Sequence, residues 1–172
     1  MKPTYQELLA LRDQIVEGDL ERALARLRFF ELTDETRKWI SREMEGYARD
    51  DNLPAYRRDV PLLHQDWNGL LGPDYPRKTD LRVPLSFLMD RKDDGLVYDN
   101  GVFYKVFVAV PEVHRILMAV EGIATDFIAA ALEGYDGENE DKTSHNWDKA
   151  KMTAHQFAVG VASSLVAGQA SG

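Results

Sequence analysis

The chain predicts an α+β, mainly helical fold, and three observations carry that reading. The first is Asn100-Gly101, set between two apolar, β-prone runs, Leu96-Val97-Tyr98 and Val102 to Val110. Asn-Gly in that setting is the strongest short-range hairpin signal. The second is Pro111-Glu112, which opens a long apolar stretch directly after the hairpin. Proline is pre-organised for a first helical position, and an acid there favours the positive end of the helix dipole. The third is the helical spacing of apolar residues near the N-terminus: Leu8, Leu11 and Ile15, then Leu20, Leu24 and Leu27. The expected architecture is an N-terminal helical group, one β-hairpin over about 96–110, and two long C-terminal helices packed on it. A chain of 172 residues suits a single domain, since domains commonly hold roughly 100–150 residues.

Taken in order, Thr4-x-x-Glu7 has the form of a capping box and starts the first helix, which Gly18 ends. Asp19 is the expected cap of the second helix, whose leucine stripe is broadened by Ala23 and Phe30. Thr33-Asp34-Glu35 starts a third, with Trp39, Ile40, Met44 and Tyr47 on one face. Its other face carries Lys38, Arg42, Glu45 and Arg49, where Asp34/Lys38 and Glu45/Arg49 are spaced to pair. These helices make up the helical part, 1–50. The segment 50–84 is punctuated by Pro54, Pro61, Pro73, Pro76 and Pro84, with one short helix expected from Pro61 to Leu71. Its aromatics, Tyr56, Trp67 and Tyr75, argue against a free linker, because aromatic side chains dock. The last part, 85–168, holds the hairpin and two helices, and residues 81–89 offer either a third strand or, from Pro84, a short helix. Helix 112–133 is apolar on almost every side, which marks a central helix or an oligomer interface. An acidic loop, 134–145, leads to a final helix with Trp147, Ala150, Ala154, Phe157, Val161 and Leu165 at helical spacing.

Composition excludes several classes of function. There is no cysteine, so thiolate metal sites and cysteine nucleophiles are ruled out. No apolar run approaches the roughly 20 residues that span a bilayer, and the N-terminus has no apolar signal segment; a cytoplasmic protein is expected. The net charge of −8 disfavours binding to phosphate backbones over the whole surface. The acidity is concentrated: residues 90–150 carry 13 acids against 6 bases. Phosphate-cradling glycine loops, a Gly-x-Ser-x-Gly elbow and a His-Glu-x-x-His pair are all absent. Asp136-x-Glu138-x-Glu140 alternates carboxylates as a calcium loop does. The glycine required at the sixth position is Asp141 and the acid required at the twelfth is Trp147, so it is not an EF-hand. No metal or cofactor is expected.

The leading expectation is a small, acidic, non-catalytic protein of bacterial or phage kind that regulates or inhibits by binding a protein, one with a basic surface. The candidate contact residues are Tyr56, Arg57, Arg58, Trp67, Tyr75 and Arg77, where arginine and aromatics combine as in binding hot spots, and Glu138, Glu140 and Asp141. One alternative is nucleic-acid binding through Arg22 and Arg26, which share a helix face. Another is an enzyme built around His64, Asp66 and Tyr75, or His114. The apolar long helix and the small residues of the last helix also raise self-association into a homo-oligomer.

Overall fold

The computed structural model describes residues 1–66, 77–101, 104–133, 147–149 and 151–152. Helices α1 (Tyr5–Val16), α2 (Leu20–Leu27) and α3 (Asp34–Glu45) come first. The capping box of α1 is formed: the Thr4 hydroxyl accepts from the Glu7 amide at 3.2 Å, and the Glu7 carboxylate accepts from the Thr4 amide at 2.7 Å. Thr33 caps α3 in the same way, accepting from the Thr36 amide at 3.2 Å. Asp19 makes no side-chain cap on α2; its carboxylate instead stands 3.9 Å from Arg22. The two ion pairs expected along α3 are replaced by others. Lys38 stands 3.9 Å from Glu35, and Glu45 receives Arg28 from the end of α2 at 2.8 Å. Arg49 cannot continue the helical spacing, because α3 stops at Gly46, whose φ of +95° an L side chain rarely adopts.

A single turn of 3₁₀ helix (Ala55–Arg57) leads into β1 (Val60–Pro61), which pairs antiparallel with β3 (Lys78–Thr79). The helix expected from Pro61 to Leu71 is not formed over 61–66; Leu63–Asp66 is strand β2. Short apolar runs do not distinguish strand from helix by periodicity. Here Leu62 turns inward and Leu63 outward, the two-residue alternation of a sheet. Residues 85–90 form α4 (Leu85–Asp90), so the third strand does not come from 81–89. Pro84 sets the entry at φ −59°, and Leu85 and Leu88, three apart on one helix face, are fully buried.

The hairpin is present, with β4 (Leu96–Asn100) antiparallel to β5 (Tyr104–Val108), and β2 completes a sheet of order β2-β5-β4. Asp99 and Asn100 lie inside β4 and are not part of the turn, with a register shift between Val97 and Asp99. The helix α5 (Val110–Leu132) then runs back across the core with Val113, Ile116, Val120, Ala124, Phe127, Ile128 and Ala131 buried. It packs on α1, on α4 and on the 3₁₀ turn, which identifies it as the central helix. Of the second long C-terminal helix, residues 147–149 and 151–152 are helical, and the remainder lies outside the described residues. Trp147 is fully buried, edge-on to Phe30 and Phe127, and its indole N–H donates to the Glu31 carbonyl at 2.7 Å. Buried apolar residues reaching from Leu8 in α1 to Trp147 form one continuous cluster.

Candidate functional site

Two arrangements stand out, one inside the protein and one on its surface. The inner one begins with Glu43, on the buried side of α3. Its carboxylate accepts hydrogen bonds from Tyr47 Oη at 2.6 Å and Tyr56 Oη at 2.5 Å, and from Arg57 Nη2 at 2.6 Å. Arg57 Nε donates to both carboxylate oxygens, at 3.2 and 3.1 Å. The remaining guanidinium nitrogen donates to the carbonyls of Leu81 and Val83 at 3.0 and 2.8 Å. Trp39 Nε1 donates to Tyr56 Oη at 2.8 Å, and the Arg57 guanidinium lies 5.0 Å from the centre of the Tyr47 ring. Glu43 and Arg57 are both 0% exposed.

Burial and the neighbouring Glu43 carboxylate push both Tyr47 and Tyr56 well above the usual tyrosine range. Burial alone would lower Arg57, but the adjacent carboxylate outweighs it and holds the guanidinium above its ordinary value. A buried pair is tolerated when its geometry is good and further hydrogen bonds support it, and here all three guanidinium nitrogens donate and both Glu43 oxygens accept within the protein. The cluster ties α3, the 3₁₀ turn and the segment 81–83 together. Tyr47 also anchors this knot through its backbone, donating to the Arg82 carbonyl at 2.8 Å.

These positions correct part of the sequence reading. Tyr56 and Arg57, expected at a binding surface, are internal, because they answer the carboxylate of Glu43. Glu43 and Tyr47 were not foreseen as its partners. The signal was present as a lone acid on the apolar side of α3, with a tyrosine four residues on. Arg58 is half-buried and Arg77 exposed. Trp67, Tyr75, Glu138, Glu140 and Asp141 lie outside the described residues. Arg22 is exposed, while Arg26 is half-buried and donates to Gln14 at 3.2 Å. His64 is an exposed residue of β2 opposite Val106, and His114 Nε2 lies 2.7 Å from the Lys92 carbonyl. The two histidines are not brought together by any described contact. Among the described residues, no three histidines or acids are grouped to hold a metal ion, and no helix is long and apolar enough to cross a membrane.

The outer arrangement lies on the three-stranded sheet. Leu63 on β2, Phe107 on β5 and Val97 on β4 stand at one register position and therefore on one face. Leu63 is 49% exposed and Val97 is 47% exposed, and the half-buried Phe107 lies between them. The opposite face carries Val106 and Val108 into the core. Tyr98, at the register shift, is also half exposed, and Lys105 stands 5.3 Å from the centre of the Phe107 ring. A solvated antiparallel face is ordinarily polar, so an apolar row across all three strands departs from what folding alone requires.

Residues 32–115 match the AbiTii family model, just under half of the chain. The matched span runs from α3 into α5 and contains both the Glu43–Arg57 cluster and the apolar row. It suggests a protein related to bacterial abortive infection. No curated protein and no solved structure matches the chain.

Proposed function

Proceeding from the AbiTii similarity, we propose that this is a non-catalytic protein of bacterial abortive infection that acts by binding another protein through the apolar row of its sheet. The exposed line Leu63–Phe107–Val97 carries the proposal. Phe107 is the central anchor, with Leu63, Val97 and Tyr98 around it and Lys105 at its edge. That arrangement of a large aromatic ringed by smaller contacts is the usual form of an interface hot spot. Each of these side chains gives up about 25 cal/mol for every Å² of apolar surface that a partner covers. The burial of Glu43 and Arg57 and their bonds to three separate segments support a structural role for that cluster.

The test is phage restriction in a bacterial host expressing the protein, with Leu63→Asp and Val97→Asp combined. Both side chains are half exposed, so the variant should unfold at the same urea concentration as the parent, within about 0.5 kcal/mol. Plaque counts should rise to those of cells without the protein. Full restriction by a variant of parental stability would exclude this surface. A photo-crosslinking residue at Val97 should join the protein to a different chain during infection; an adduct of twice the protein's own mass would instead indicate self-association.

A further inference from the structure

A second surface feature lies at the N-terminal side of the molecule. The N-terminal Met1, the end of α2, the turn after it and α3 enclose an open cleft of about 570 Å³, with Phe29, Phe30 and Met44 as its apolar lining and Arg28, Arg37 and Glu31 as its charged residues, Glu31 standing 3.9 Å from Lys151. That volume falls within the roughly 300–1,000 Å³ typical of small-molecule sites. Phe29 is 78% exposed there, although Phe30 beside it is buried against Trp147. The two arginines differ. Arg28 is engaged by Glu45 at 2.8 Å. Arg37 is exposed, and no carboxylate among the described residues is within ion-pair reach of it. Arg37 and Met44 are seven residues apart on α3, so the edge and the lining are separated by about 10 Å along the helix.

From this we infer that the cleft binds a small aromatic anion, with its acidic group on the Arg37 guanidinium and its ring against Phe29 and Met44. The chemistry fits on both counts. A guanidinium has a planar fork of donors that suits carboxylate, sulfonate or phosphate oxygens. An exposed phenyl ring offers a stacking face to a flat apolar body. With Arg28 held by Glu45 and Glu31 beside Lys151, Arg37 is the charge of the lining that has no opposite partner among the described residues, and it is the group an anion entering the cleft would meet. Such a ligand would reach a site separate in sequence from the sheet row, which makes it a candidate effector of the protein.

The probe is 1-anilinonaphthalene-8-sulfonate, an aromatic sulfonate whose fluorescence rises on burial, titrated into the folded protein. N-phenyl-1-naphthylamine, the same ring system without the sulfonate, is titrated alongside it. The expected result is one saturable sulfonate site that Arg37→Ala weakens at least tenfold and Phe29→Ala weakens comparably. The uncharged probe should bind more weakly and should not respond to Arg37→Ala. Leu63→Asp with Val97→Asp should leave the sulfonate site intact, which separates this inference from the sheet surface. Both Arg37 and Phe29 are exposed, so thermal unfolding of their variants should match the parent. Equal sulfonate binding in parent and Arg37→Ala, loss of the signal in the sheet variant, or no saturable signal at all would each overturn the inference.

Discussion

Glu43 takes hydrogen bonds from three side chains in a place that water does not reach. Removing one partner of such a pair leaves an uncompensated buried charge, which costs about 3–5 kcal/mol. Glu43→Gln and Arg57→Met are each expected to lose that much by urea unfolding. The double variant should lose clearly less than their sum, with a coupling of about 1–3 kcal/mol; simple additivity would show that the two charges do not support each other. The tyrosines make a separate prediction in alkali. Their folded values lie above the ordinary 10.0, so the stability they confer is complete below pH 10.0 and declines as the pH rises beyond it. The unfolded chain then releases protons that the folded chain retains. Each tyrosine can contribute a loss of up to about 1.4 kcal/mol per pH unit. Tyrosinate absorbance from Tyr47 and Tyr56 should therefore appear together with unfolding, whereas early titration of all seven tyrosines in the folded state would contradict the buried geometry. At this scale the sequence marked Tyr56 and Arg57 as notable but for the wrong reason. An arginine beside an aromatic looks the same whether it faces a partner or a buried acid, and the acid lies 14 positions away.

Elements were legible where their signals are local. The capping box of α1, the Thr33 start of α3, the hairpin and the Pro111 entry to α5 rest on residues within a few positions of one another. Strand β2 was not legible, since Leu63–Asp66 becomes a strand by pairing with Tyr104–Phe107, some forty residues on. Isolated hairpins are marginal in water, so this third strand, together with α5, is what makes the sheet stable. The hairpin also rests on Gly95, at φ +80°, where an added Cβ would come 2.7 Å from the Val108 carbonyl oxygen. Backbone on the facing strand cannot yield as a flexible side chain would. Gly95→Ala should lose about 1–3 kcal/mol in urea unfolding; a loss below about 0.5 kcal/mol would show that the strand ends separate without cost.

The core of the molecule is one cluster from Leu8 in α1 to Trp147. We expect a single cooperative unit, as the length of the chain suggested. Urea unfolding followed by tryptophan fluorescence and by far-ultraviolet circular dichroism should give coincident transitions, since small single domains unfold as one. Two separated midpoints would divide the chain into independent parts. The acidic charge concentrated in residues 90–150 belongs to this scale too: under the proposed binding role it would steer a basic partner, and association would then slow as salt is added.

The amino-acid sequence by itself determined the mixed, mainly helical class, the N-terminal helices, the hairpin and the start of α5, while it left α5 either central or at an interface between copies. Those follow from apolar periodicity, caps and turn residues, which act over a few positions of the chain. Only the tertiary structure decided that Arg57 would be buried against Glu43, that Leu63–Asp66 would join the sheet, and that Leu63, Phe107 and Val97 would meet in one exposed row. The reason is physical: partnership and exposure are properties of packing between distant segments, and the same side chain is a core residue or a contact residue according to what the fold brings against it.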